Sequence, residues 1–364
     1  MPESAAVVSS GQEAAREPRD WSLDLLRIGA ILGVVSIHTF GALMTNPAMR
    51  GTADRWVAVA LDAGMIWAVP VFVMMSGTLL LSPRAHADGP ARFYRRRLVR
   101  LLPAFVVWQV FYLLVVRQLI SGLHETPGDV LKLLLSGTTY THLYFLWLIL
   151  GLYAVAPVLR AFLAQGGRAR AMWFAGIVLS ASVLTSISSS LLGFAGDPRP
   201  LTLLALTQWI PYVGYFLAGW ALKDVLLTGF ARWGVTAIAV LSVAEIVLQS
   251  GKGWTGPLFA FLPLSYYGPV PALAAVSIFL AVRSWCGRVE LPAAAERVLR
   301  ELSEATFGVY LVHFVVLILL RMLPPFATYA TSAPVSLLLF AATAALSFAV
   351  VAVLRRIPVL RRIV

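Results

Sequence analysis

Charge is what this chain has least of. Asp, Glu, Lys and Arg make up 13% of its 364 residues, where water-soluble domains carry about twice that share. With 59% hydrophobic residues and a mean hydropathy of +0.82, a string of two or three soluble domains is excluded. Cysteine is nearly missing too. The single Cys286 rules out an internal disulfide and any cysteine metal cluster, and reads as an inert packing residue near a helix end. The five histidines are scattered along the chain with no acidic ligand set beside them, so no metal site is indicated.

What the chain does have is long apolar runs of membrane-spanning length. They predict an all-α, polytopic membrane helix bundle of about ten transmembrane helices. The spans are expected near residues 22–44, 55–81, 98–120, 141–163, 172–194, 202–222, 233–250, 263–283, 303–322 and 333–354. Residues 1–19 are polar and rich in Ala, Glu and Ser. They read as a disordered cytoplasmic tail and not as a signal peptide, since an acidic, proline-containing stretch precedes the apolar run. Residues 20–355 then form one transmembrane domain, and 356–364 a basic cytoplasmic tail. LHETPGDVLKLLLSGTTYTHL, ahead of the fourth span, predicts a short amphipathic or re-entrant helix.

The scarce charges are unevenly placed. Roughly three quarters of the 29 Lys and Arg residues fall on one side if the N-terminus is inside, which by the positive-inside rule makes both termini cytoplasmic. That distribution also accounts for the net charge of +12 without nucleic acid. The basic residues sit in short loops between spans, where a duplex has no room to dock. Contact with an anionic lipid bilayer explains them better.

Two basic features stand out. In LDLLRIGAILGVVSIHTF, Arg27 and His38 are eleven positions apart, three helical turns with only about 20° left over, so they share one face roughly 16 Å apart. Arg27 falls where the span enters the membrane, and His38 well inside. A cation at the mouth and a proton-transfer group at depth suit a long substrate with an anionic head and a reactive tail, the shape of an acyl-coenzyme A. In FYRRRLVRLLP, Arg97 and Arg100 face the same way while Arg95 and Arg96 point elsewhere. This cluster reads either as a topology anchor or as a phosphate clamp, since guanidinium forks bind phosphate bidentately.

Taken in order, the Arg27–His38 pair, VPVFVMMSGTLLL, the Arg97–Arg100 pair, THLYFLWLILGLYAVAPVL, SYYGPVPALAA and ATFGVYLVHF resemble the acyltransferase-3 family of integral-membrane O-acyltransferases. The resemblance runs from about residue 20 to 355. It is nearest in motif to the branch containing the enterobacterial common antigen O-acetyltransferase. It implies a ten-helix core in the cell (inner or plasma) membrane, crossed many times. It further implies transfer of an acyl group, by this branch an acetyl group, from cytoplasmic acyl-CoA (acetyl-CoA) to a hydroxyl of a surface glycan or lipid-linked sugar. His38 is then the catalytic residue, with Arg27, Arg97 and Arg100 as donor-binding arginines. One departure is visible: many members carry a basic residue shortly before the Val-Pro of the second span, where this chain reads GMIWAVP.

The chemistry of the transfer suits the residues. An alcohol attacking a thioester must lose its proton as the new bond forms, and a neutral histidine can take it. His38 can alternatively accept the acyl group itself; both routes stay open at this point. The remaining candidates are substrate or supporting residues. His313 lies near mid-membrane in the ninth span and His142 at the outer start of the fourth. Glu245 is a lone acid in the seventh span, and ionisable groups in spans are costly and usually functional. Asp24, three residues before Arg27, is expected to pair with it. Asp62 is expected at the outer half of a cavity, and Ser76 beside Gly77, where helices approach closely. His86 and His124 fall in loops with no assigned role. The alternative function is a non-enzymatic transporter of a polysaccharide or small polar molecule; the symmetric, broken half-helices that mark many transporters are not evident.

Overall fold

A computed structural model describes residues 20–287 and 289–364; the polar stretch 1–19 lies outside the described residues. The first helix, α1 (Trp21–Thr45), begins where the Asp20 carboxylate accepts the Ser22 amide (3.1 Å), satisfying one of the unpaired donors of a helix start. It ends at Asn46, extended ahead of Pro47, because a residue before proline is pushed out of the helical region.

The second span is broken in the middle. Thr52 caps α2 (Ala53–Leu61), a single 3-10 turn covers Ala63–Met65, and α3 (Ala68–Leu80) completes the passage. The break falls at Asp62-Ala63-Gly64, where Asp and Gly are both poor helix formers. The next helix, α4 (Gly89–Phe111), runs on as a π-helical stretch, Tyr112–Ile120. The expected amphipathic segment is α5 (Pro127–Ser136). A reciprocal Thr126–Asp129 capping box opens it and Gly137, at φ +72°, closes it. The rest are α6 (Tyr144–Ala164), α7 (Gly167–Phe194), α8 (Val213–Leu222), α9 (Gly229–Lys252), the single turn α10 (Pro257–Ala260), α11 (Pro269–Cys286), α12 (Ala293–Arg321) and α13 (Ala333–Leu354).

Among the described residues, nine helical segments are long and apolar enough to cross a membrane, and the protein is an all-helical polytopic bundle. The segment expected to cross at 202–222 is the exception. It is regular only as the ten residues of α8, preceded by 3-10 turns at Ala205–Thr207 and Ile210–Tyr212. Pro211 lacks the amide that a continuous helix would need. The chain still runs the length of the bundle here. Ala205 packs on Gly137 at one end, and at the other the Lys223 carbonyl accepts from Arg283, which also holds Asp20 (2.7 Å).

The segments at opposite ends can be read from their contacts. The Asn46 side chain donates to the Ala330 carbonyl (2.8 Å), and the Ala333 amide to Asp54 (2.7 Å). The end of α1, the start of α2 and the start of α13 therefore meet at one end. The start of α1 and the end of α13 lie at the other. Beyond α13 the chain turns back: the Ile363 carbonyl accepts from the Trp108 indole (2.7 Å), and Val364 packs near Gly308.

Close packing at the centre depends on two glycines. A Cβ on Gly77 of α3 would stand 1.8 Å from the Phe216 carbonyl oxygen, and one on Gly219 of α8 would stand 1.8 Å from that of Met74. The two backbones are in direct contact, and the Thr78 hydroxyl donates across to the Gly219 carbonyl (2.9 Å). In a lipid setting this is how helices gain packing energy without a hydrophobic drive between them.

Candidate active site

The packed helices leave a chamber of about 680 Å³, walled by α1, α3, α4, α6 and α12. That volume is within the range of small-molecule sites. Arg27, Arg97, Arg100 and Ser76 line one part of it; His38, Gly41, Asp62, Thr141 and His142 line another. Arg27 is near the start of α1, and His38 follows three turns later, about 16 Å along the axis. The two sequence motifs, on different helices, thus open into the same space.

Each arginine has its own support. The Arg27 guanidinium donates to the Ser303 hydroxyl (2.9 Å), and Ser303 donates in turn to the Asp24 carboxylate (2.5 Å). Arg27 and Asp24 are themselves 3.7 Å apart. Asp24 is buried and holds Arg27 both directly and through a serine on α12. On α4, Arg97 and Arg100 turn into the chamber, with the Arg97 guanidinium 5.8 Å over the Phe93 ring. Arg92 and Arg96 turn away and share Asp88.

Around His38 the structure gathers what the sequence scatters. The His38 ring stacks on His313 at 5.5 Å between centroids and lies 6.2 Å from His142; His142 and His313 are 5.0 Å apart. Three of the five histidines form one cluster, closed by Phe314 at 4.8 Å from His38. His313 is fully buried behind the chamber wall. Its Nδ1 lies 2.7 Å from the Tyr310 carbonyl and 3.1 Å from that of Val309. Those acceptors place the proton on Nδ1 and leave Nε2 with a free lone pair. Neither nitrogen of His142 has a partner among the described residues, while its carbonyl accepts from the Tyr310 hydroxyl (2.6 Å). Among the described residues no group of three or more His, Cys, Asp or Glu side chains is placed to hold a metal ion.

Two further residues complete this end. Asp62, at the break between α2 and α3, sets its carboxylate against α1, where a Cβ on Gly41 would be 3.1 Å from Oδ2. Glycine at that position leaves room for the carboxyl group. Arg321, the last residue of α12, donates to the His38 carbonyl (2.7 Å). It fixes the main chain of α1 at the histidine itself, and with the two 283 positions apart no local pattern announces it.

Three candidates are not in the chamber wall: Asp24 and His313 stand behind it, against Arg27 and His38, and Glu245 is not brought to it at all. Glu245 lies on α9, outside the lining, and its carboxylate oxygens are covered without a hydrogen-bond partner among the described residues. Tyr144, Tyr153, Tyr266 and Tyr310 also line the chamber. Tyrosines in a hydrophobic helix give no signal that separates a cavity wall from a packed core.

A family model described as an acyltransferase domain matches residues 20–355. No curated protein and no solved structure matches the chain. With nearly the whole sequence inside that match, and a bundle of membrane-spanning helices around it, the chain belongs to the acyltransferase-3 family and is a multi-pass membrane acyltransferase.

Proposed function

We propose that the protein transfers an acyl group, by its branch resemblance an acetyl group, from cytoplasmic acyl-CoA to a hydroxyl of a surface glycan or lipid-linked sugar. The observation that carries this reading is the shared chamber, with Arg27, Arg97 and Arg100 on one part of its wall and His38 on another. Guanidiniums suit the phosphates of the CoA head group. The pantetheine arm then runs along α1 toward His38. With both termini cytoplasmic, as the charge bias supports, the arginines face the cytoplasm and His38 is nearer the outer surface of the cell (inner or plasma) membrane.

At His38 the neutral imidazole takes the proton of the acceptor hydroxyl as its oxygen attacks the thioester carbonyl carbon. The carbon–sulfur bond breaks, and the proton passes from the imidazolium to the departing thiolate. If the acyl group instead passes through His38, the same bonds are exchanged in two steps. Arg27, Arg97 and Arg100 bind and orient the donor; Asp24 and Ser303 position Arg27. His313 and Arg321 position His38 through its ring and its carbonyl. Asp62 and His142 face the side where the acceptor hydroxyl arrives, and Ser76 lies along the path of the donor.

Lipid and glycan mass spectrometry of a strain lacking the gene tests the reading. Loss of one acyl mass increment from a surface glycan, restored by the wild-type gene, supports it. An unchanged acylation profile, together with altered export or uptake of an unmodified molecule, would replace it with the transporter reading.

A further inference from the structure

The cationic rim continues past the arginines of the chamber wall. On α6, Ile149 and Tyr153 line the chamber. Arg160 follows Tyr153 by seven residues, two turns to within about 20°, so it shares that face roughly 10 Å nearer the end of α6. Its guanidinium stands 6.0 Å over the Trp220 ring, near the end of α8. The 3-10 turn Pro83–His86 packs beside α6, and the His86 ring stacks on Phe93 (4.4 Å, 13°). Arg97 lies over the same Phe93 ring. The His86 ring is held in place by the Leu80 carbonyl, 2.7 Å from its Nε2, and burial first, then the positive charges of Arg160 and Arg97, keep it below the usual imidazole range.

Among the described residues, Arg97, Arg100 and Arg160 pair with no carboxylate, whereas their neighbours Arg92 and Arg96 share Asp88. Guanidiniums left uncompensated around one rim repel each other, and a polyanion relieves that repulsion. A topology anchor needs basic residues on one side of the membrane. It does not need them drawn from separate helices to one lip.

We propose that Arg160, beside His86 at the lip of the chamber, forms a phosphomonoester subsite that takes the 3′-phosphate of acyl-CoA, separate from the diphosphate contacts of Arg97 and Arg100. The assignment rests on the acyl-CoA reading and follows from order. Along the donor the sequence is thioester, pantetheine arm, diphosphate, then ribose with its 3′-phosphate. Along the protein it is His38, the chamber, Arg97 with Arg100, then Arg160 at the rim. The phosphate farthest from the reacting carbon meets the arginine farthest from His38.

The test is a binding titration of the purified full-length protein with CoA and with 3′-dephospho-CoA. The wild type should prefer CoA by about tenfold or more, the value of one charged hydrogen-bonded contact. Arg160→Gln should bring CoA down to the affinity of 3′-dephospho-CoA and leave the latter unchanged, which also shows that the variant is folded. Arg160→Lys should keep part of the preference, and Arg100→Gln should weaken both ligands alike. Equal binding of the two ligands by the wild type, or an undiminished preference in Arg160→Gln, overturns the subsite while the acyl-CoA reading stands. No CoA binding by the wild type overturns both.

Discussion

Replacing His38 with alanine separates chemistry from architecture more cleanly than any other single change. The ring touches His313 and Phe314 on one side and the open chamber on the other, so its removal enlarges existing space more than it creates a sealed void. The main chain at this point is held independently, since Arg321 grips the His38 carbonyl and not the ring. The stability cost is therefore about 1 kcal/mol, within the ordinary range for a single substitution. Loss of a general base costs about 10²–10⁴ in rate, roughly 2.7–5.4 kcal/mol of transition-state stabilisation. The assay is release of free CoA from acetyl-CoA by protein in membranes that contain its acceptor, with the melting temperature and CoA affinity of the variant measured in parallel. Activity should fall by at least a hundredfold while donor affinity stays within about twofold, because the phosphate contacts lie some 16 Å away along α1. A folded His38→Ala protein that turns over at near the wild-type rate would remove His38 from the mechanism.

Other changes probe the scaffold and the mouth. Arg97→Gln and Arg100→Gln should each weaken CoA binding by about 1.5–3 kcal/mol, less so at high salt; affinity unchanged in both would leave the cluster as a topology anchor. Ser303→Ala removes the serine bridge between Asp24 and Arg27, leaves their direct pairing and both charges, and should lower donor affinity by about 1 kcal/mol in the same titration. Gly77→Ala drives a methyl group into the Phe216 carbonyl and should destabilise by about 1–3 kcal/mol or more, seen as a lower melting temperature in detergent. Gly176→Ala, whose added Cβ meets nothing within 4 Å, is the matched control and should melt no lower than wild type. In a Cys286→Ser background, single cysteines near Arg27 should react with a membrane-impermeant thiol reagent only from the cytoplasmic side; labelling only from outside would invert the orientation and sink the proposed entry route.

The sequence by itself determined the class of the fold and the helix faces that Arg27, His38, Arg97 and Arg100 share. Apolar runs of spanning length in so weakly charged a chain leave few solutions other than a helix bundle in lipid, because only there are the backbone groups satisfied within each segment. The eleven-residue spacing of Arg27 and His38 and the three-residue spacing of Arg97 and Arg100 are properties of a single helix, so their common faces follow from 3.6 residues per turn. Asp24 beside Arg27 is legible for the same reason.

What only the tertiary structure decided involves residues far apart in the chain. His38 and His313 come from two different spans and His142 from the turn just before a third, and nothing in the local pattern of any one of them records that their rings meet. Ser303 and Arg321 reach α1 from about 280 positions away. Glu245 carries the same sequence signal as Asp62, an acid in an apolar span, yet one sits outside the chamber and the other in its wall. Periodicity gives the face of a helix but not the neighbour that covers it. That choice is made by packing, at places such as the Gly77–Gly219 contact, where the absence of a side chain lets two backbones meet and fixes where every other face must point.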